Sequence, residues 1–406
     1  MIQRDLSRTT NKLFILLNSY IVKMVFDFVV MAATGMQGRI VTRDLLENGY
    51  SVLLCGRDRK RVEHLLHKHK RTAFEYVDAR NIDHMTRVFK KSGAKIVVNC
   101  IEGDWNLNVL KAAMKADMHS LDLGSEIPLT KEQFALHESL KKKKLIHITG
   151  CGSVPGIGNV MLNHAAAKFD SLHSIEVGFA WTSNMKKFVV PFSMDSIIDE
   201  FTEPATNIKD GKFTKLRPLD TLIKTHEPFV GKEDCMFVRH PETYTFYKYF
   251  RHKGLKNVRF YAEFPPHSFD VIKQLIDLGF GSHEKILVDG VHVKPIDALT
   301  QTLKDLKFPE GYKEKENLWL RLYGKHKGKS KQILIECIVG TNKGWEDAGC
   351  NIDTGMPASI MAQMIKKELI NEYGSFAPEV VVPPAPFFKE LKKRQMFIYE
   401  NGKKIN

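Results

Sequence analysis

No GxSxG, HExxH or CxxC pattern occurs anywhere in the chain. Those absences remove the serine-hydrolase elbow, the zinc-peptidase helix and the paired-thiol metal or redox site. The six cysteines, at 55, 100, 151, 235, 337 and 350, are scattered and lie mostly inside apolar runs. They read as reduced thiols of a cytosolic compartment, not as a disulfide framework. Histidines such as His164 and His240 have no ligand spacing, so no metal is expected. Long apolar runs are missing too. Residues 1–23, "MIQRDLSRTTNKLFILLNSYIVK", hold only the patch "LFILL", too short to span a bilayer and followed by no small-residue cleavage site. They are expected to be an N-terminal extension of a cytoplasmic protein with no membrane partner.

Acidic residues are in deficit: 47 Asp and Glu stand against 61 Lys and Arg, a formal net charge of +14. The bases are spread out, with one dense run, "KKKK" at 141–144, and no base-stacking aromatic pattern accompanies them. This reads as a solvated face from whose field an anionic cofactor or substrate benefits, with no nucleic-acid partner.

What is present is organised. The 406 residues exceed one ordinary core, so two domains are expected. From Val25, short β-branched runs alternate with amphipathic stretches: "VFDFVVMAA", "YSVLLCG", "FEYVDA", "KIVVNC", "SLDLG" and "LIHITG" as strands, separated by helical segments. Such spacing gives right-handed βαβ crossovers and a Rossmann-type, doubly wound parallel sheet over 24–150. Beyond it, "SIEVGFAW", "KFVVPFSM", "GVHVKP" and "QILIECIVGTNK" read as strands of a mixed sheet, and "HSFDVIKQLIDLGF" and "PIDALTQTLKDL" as helices. That segment, 151–345, is expected to be a second α/β (α+β) catalytic domain, with 346–406 returning to the first. "RHPETYTFYKYFRHKG", 239–254, is aromatic and basic, a lid over substrate or a subunit contact.

At the first βα junction stands Ala33-Thr34-Gly35-Met36-Gln37-Gly38, a GxGxxG pattern with Ala first. Gly35 allows close approach of a pyrophosphate, Gly38 allows the helix to pack on the strand, and the helix N-terminus offers unpaired N–H groups. A dinucleotide site follows. At the end of the second strand, where an NAD enzyme places a ribose-binding acid, stand Gly56 and Arg57. A guanidinium there suits a 2′-phosphate, so NADP(H) is expected. NAD(H) remains the alternative, with Asp58 on the ribose and Arg57 in solvent. Asp78, in "VDAR", either caps the adenine edge or is an exposed turn residue. Asn99, ending the fourth strand, completes the expected cofactor set.

The ordered set "GMQGRIVTRDLL", "NLNVLKAAMKADMHSLDLGSE", "GSVPGIGNVM", "DEFTEPATNIKDGK", "DTGMPASIMAQMI" and "APEVVVPPAPFFKELKKR" spans roughly residues 25–396. With it the chain resembles the saccharopine dehydrogenase family, and within it the lysine 6-dehydrogenase-like branch. The resemblance implies an NAD(P)-dependent oxidoreductase, commonly a homodimer. Its substrate is a small amino-acid-like molecule, saccharopine, lysine or a carboxy-polyamine, whose C–N bond is oxidised or reduced. The chain departs from the family at Val154, where an acid often precedes the Pro-Gly turn. It departs again at Pro265-Pro266-His267, in place of Pro-Gly-His, and in the loop "NCIEGDW". Glu102 and Asp104 of that loop either sit beside a substrate ammonium or are ordinary loop acids. For the proton on nitrogen the candidates are Asp122, ending the fifth strand, and His267, matched to the family's histidine. Their bland alternatives are a turn cap and a helix-start residue. Pro155, Gly156, Asn159 and Thr354 are expected to meet a substrate carboxylate, Thr354 being otherwise a helix cap. The competing function is a non-catalytic NADP(H)-binding sensor or scaffold, with Pro266 and the acidic loop as its signs.

Overall fold

The computed structural model describes residues 25–406 apart from 102, 191, 192, 228, 304, 305, 307 and 308. Six strands come first: β1 (Phe28–Met31), β2 (Val52–Gly56), β3 (Thr72–Tyr76), β4 (Ile96–Asn99), β5 (His119–Asp122) and β6 (Ile146–Ile148). A seventh, Gly374–Phe376, pairs in parallel beside β6, and the sheet runs Gly374–Phe376, β6, β5, β4, β1, β2, β3. Strands β1, β2 and β4 are buried along their whole length, as the unbroken apolar runs require of a sheet covered on both faces. The chain reverses direction of progress between β1 and β4, and that switch point opens a crevice at the C-terminal strand ends.

The second sheet has ten strands, all antiparallel pairs except one, centred on β7 (Ser171–Ser183). Beside β7 lies the long hairpin Glu314–His326 and Lys329–Gly340. Alternation fixes which face is core: Ile175, Val177 and Phe179 point with Leu318, Leu320 and Leu322 into the large apolar cluster.

Two expected strands differ. Residues 187–190 of "KFVVPFSM" form no strand: Phe188 and Val190 pack against the core, and Val189 is buried. "GVHVKP" contributes Val291–Val293, paired only with Ile286–Val288. Its Asp289-Gly290 turn has both residues at positive φ, so a local two-residue hairpin forms apart from the large sheet.

The final segment touches both sheets. Gly374–Phe376 joins the first and Phe397–Glu400 joins the second. Between the two domains, helix Ile352–Lys366 packs on helix Met36–Glu47, and Gly355 permits it: a Cβ there would lie 2.5 Å from Ile40 Cγ2. Buried Asp44 of the second helix accepts from Ser359 of the first at 2.6 Å, and Arg394 adds a bidentate bond to the same carboxylate at 2.7 and 2.8 Å. No helix among the described residues is long and apolar enough to cross a membrane.

Candidate active site

The crevice begins at the turn after β1. Its strained residue is Ala32, at φ 53°, one position before the Ala33 expected to start the glycine pattern. Ala33 itself is buried and donates its N–H to the Cys55 carbonyl. Gly35 is extended at the N-cap of helix Met36–Glu47, with no capping side chain and no acid in the first turn. Gly35, Met36 and Gln37 border the crevice, so the orphan N–H groups of the first turn are left for an anion. A Cβ on Gly38 would lie 2.1 Å from the Ala32 carbonyl oxygen, so the helix can approach β1 this closely only with glycine there.

Across the crevice, at the end of β2, Gly56 sits against Thr34, and Arg39, Arg57 and Arg61 converge. Burial lowers the Arg39 pKa, and Arg61 beside it lowers it further. Among the described residues neither Arg57 nor Arg61 has an ion-pair partner. Asp347 and Asp78, which act on Arg39 and Arg57, are themselves paired with Arg43 and Arg80, so three guanidiniums beside an uncapped helix N-terminus fit a dinucleotide carrying an extra phosphate.

At the inner end, Gln37, Leu123, Gly124 and Ser196 also border a second cavity of about 340 Å³. Side chains from segments far apart in the chain build it. The same faces that fill the core with Phe179 and Leu318 end, toward the cavity, in Trp181 and in Glu314 and Glu316. Helix Met194–Thr202 contributes Ser196, Asp199 and Glu200, spaced three and four residues apart on one face. Arg239 and His240 enter from the segment after strand Gly231–Phe237, and Asp353 and Thr354 from the start of helix Ile352–Lys366.

The cavity's electrostatics are lopsided. Glu126, Asp199, Glu200, Glu314, Glu316 and Asp353 face two cationic side chains. Arg239 is shared by Asp199 at 2.8 Å, Glu126 at 3.4 Å and Glu203 at 3.6 Å. His240 stacks on Phe260 at 3.8 Å, with Nδ1 3.2 Å from Glu242 and Nε2 3.9 Å from Glu200. Burial opposes its charge, but Glu242 and Glu200 prevail and hold the imidazolium up to about 10. Burial raises the carboxyls of Glu126, Asp199 and Glu200, with Arg239 or His240 offsetting part of the effect. Glu316 and Asp353 are raised most, by burial first; Asp353 then adds its charge against Glu316.

Comparison with known proteins matches this architecture. Residues 29–148 match the family model "Saccharopine dehydrogenase NADP binding domain", and residues 152–396 match "Saccharopine dehydrogenase C-terminal domain". The chain belongs to the saccharopine dehydrogenase family. It is a dehydrogenase of that family, and its first domain binds NADP(H). A carboxyaminopropylagmatine dehydrogenase of Synechocystis sp. is 22% identical over 327 residues, 78% of this chain and 81% of that protein. Apo saccharopine dehydrogenase (L-Glu forming) from Saccharomyces cerevisiae superposes with a TM-score of 0.73 at 14% identity, covering 94% of this chain and all of that one. That superposition shows the shared fold.

Within this family fold the expected residues fall into three groups. Gly35, Met36, Gln37, Gly56, Arg57 and Asp78 border the crevice, and Pro155 and Thr354 border the inner cavity. A second group lies just behind these walls. Asn159 accepts from the Gly156 N–H at 2.7 Å and donates to Glu379 at 2.7 Å, which fixes the turn that presents Pro155. Asn99 donates to Asn106 at 2.6 Å, and Asn106 in turn holds the Gly124 carbonyl. Asp122, 1% exposed, accepts from Gly124, Thr149, Gly150 and Gln133, so its oxygens are spent shaping the loop that separates the two spaces. His267 lies behind Trp181, ring centroids 6.5 Å apart, with Nε2 buried and without a partner. Burial lowers its pKa, and Lys186 adds to that.

The third group stands outside: Asp58 caps the turn Arg59–Val62, and Asp104 is exposed. Asp78, on the crevice wall, is already bonded by Arg80 at 3.0 Å. Arg80 holds the Asp78 carboxyl down at about 2. Glu102 lies outside the described residues. The sequence reading missed Glu126, Asp199, Glu200, Arg239, Glu314, Glu316 and Asp353, and passed over His240. The segment 239–254, read as a lid or subunit contact, supplies Arg239 and His240 to the wall and continues as helix Glu242–Phe250.

Proposed function

We propose that this dehydrogenase uses NADP(H) to reduce or oxidise the C–N bond of a cationic, amino-acid-like amine of the carboxy-polyamine class. One observation carries the reading: among the described residues, six carboxyl side chains and two cations line the cavity that adjoins the cofactor crevice. A saccharopine-like substrate with several carboxylates meets repulsion there, whereas a polyamine carrying one carboxylate finds its charges matched. The name of the Synechocystis relative, a carboxyaminopropylagmatine dehydrogenase, agrees with that choice.

When bound, the nicotinamide supplies the hydride to, or takes it from, the carbon of the C–N bond. The chain's own tasks are placement and proton handling. Gln37, Leu123, Gly124 and Ser196 border both spaces, so the reacting carbon belongs beside them. Arg239, already held by three acids, is the rigid cation for a substrate carboxylate. His240 keeps its proton at neutral pH and offers it to an imine nitrogen, which makes the adjacent carbon more electrophilic.

The test is nicotinamide absorbance with a panel of lysine, saccharopine and carboxy-polyamines, in both directions. Turnover is expected on the carboxy-polyamines and to exceed that on saccharopine by at least tenfold in kcat/KM. Preference for saccharopine overturns the substrate class. NADPH binding without turnover on any member returns the sensor reading.

A further inference from the structure

We propose that Glu316 and Asp353, with Glu200 and Gln37 beside them, form a cation subsite that exchanges a proton for an alkylammonium or alkylguanidinium group. The proposal rests on the reading of this cavity as the substrate site and names what one part of it holds.

Acceptor oxygens left over in one place point to it. Asp353 is 2% exposed, and no donor reaches its Oδ2. Glu200 is 8% exposed, and no donor reaches its Oε2; Gln37 Oε1 is likewise buried without a partner. All three side chains border the same cavity, and with both carboxyls ionised all three atoms can only accept. The nearby donors are already spent. Trp181 Nε1 and Tyr312 Oη donate to Glu314 at 3.1 and 2.9 Å, and the Cys350 N–H bonds its other oxygen. The Thr354 hydroxyl turns to Ser153 and to the other Asp353 oxygen, at 3.2 and 3.1 Å. A buried acceptor without a donor costs roughly 1–3 kcal/mol, more when charged. A ligand that is all N–H donors removes that cost at several atoms together. The apolar chain of such a ligand is matched by Phe179, Trp181 and Phe264 on the same cavity.

The proton follows from the company these carboxyls keep. Glu314 on the same strand and Glu200 on helix Met194–Thr202 add negative charge, and the buried thiols of Cys337 and Cys350 give no cation. Arg239 is bonded to Asp199, and His240 to Glu242 with Glu200 at 3.9 Å; among the described residues neither cation forms an ion pair with Glu316 or Asp353. Two adjacent buried carboxyls cannot both ionise in that field, so one proton is held between them. An entering cation supplies the missing positive charge and the proton leaves to solvent, one out for one cation in. Affinity therefore rises with pH while the pair is titrating, by about tenfold per pH unit at the limit.

The experiment is calorimetric titration of 1,4-diaminobutane and, separately, 4-aminobutylguanidine into the NADP-loaded protein, in phosphate and in Tris at equal pH. The expected result is saturable binding whose enthalpy differs between the buffers by the ionisation heat of close to one proton, with affinity rising between pH 6 and 8. The two ligands rank ammonium against guanidinium. Glu316→Gln and Asp353→Asn should each abolish the buffer dependence and weaken binding at least tenfold, with NADPH affinity unchanged. Equal enthalpies in the two buffers with pH-independent affinity, or no binding by the wild-type protein, overturn the subsite. If the probes bind with proton release but no carboxy-polyamine is turned over, the subsite stands and the reaction proposed above falls.

Discussion

The cofactor crevice and the inner cavity share a border of four residues and are built by opposite means. The crevice is made of backbone: a turn, two glycines, a helix N-terminus, and arginines with little to hold them. The cavity is made of side chains brought from strand ends, a helix face and a late helix start, and its charge is negative inside a chain whose net charge is +14. One space presents positive charge and the other negative. The difference separates the parts an enzyme family reuses from the part by which a member selects its substrate.

The largest test of that contrast falls on the backbone. Gly38→Ala pushes a methyl into the Ala32 carbonyl, so NADPH affinity should fall by at least about tenfold, with stability down by ~1–3 kcal/mol. Fluorescence titration and thermal melting read both, and unaltered NADPH binding would break the picture of a crevice shaped by that contact. Next comes Arg239→Ala, which should cut kcat/KM for a carboxylate-bearing substrate by about 10²–10³ while sparing NADPH affinity. Equal losses in both would erase the division between the two spaces. Arg57→Ala sharpens the other side: NADPH should weaken by about tenfold to a hundredfold, the range of a charge-assisted bond, and NADH hardly at all.

A smaller effect is read in pH. Burial raises Glu379 to about 7. Because its folded pKa lies above its unfolded value, near 4.5, the native state binds the extra proton between those limits. Stability from this group is present at low pH and is lost as pH rises through 7, by no more than about 3 kcal/mol. Glu379→Gln should flatten that part of the melting-against-pH curve, and an unchanged slope assigns it elsewhere. Least of all should come from Asp104→Ala: that side chain is exposed and borders neither space, so substrate KM should stay within about twofold.

The crevice was legible because its determinants are local. Strand, turn, glycines and helix follow one another within the stretch from Phe28 to Glu47, so spacing alone identifies them. Even there the strained position fell at Ala32, not Ala33, since a pattern of residue types does not state which peptide turns. The cavity depends on contacts between residues far apart, such as Glu316 opposite Trp181 in the strand register. A usable signal was present in "EKENLWLRLYGKH". Leu318, Leu320 and Leu322 alternate on the core face, and continuing that phase backward reaches Glu316 and Glu314. Acids on the buried phase of a strand have a cost that a structural role rarely offsets, and they mark a site. Ser196, Asp199, Glu200 and Glu203 give the helical counterpart of that signal.

The strand Gly374–Phe376 has a consequence for synthesis. At about 5–20 residues per second, a ribosome extends the chain for roughly ten seconds or more between β6 and the segment that finally covers its edge. Helix Ile352–Lys366, bringing Asp353, belongs to the same late portion. The nascent polypeptide thus has its nucleotide-binding turn early but no finished inner cavity until translation of these last elements, so half-made chains are born incomplete.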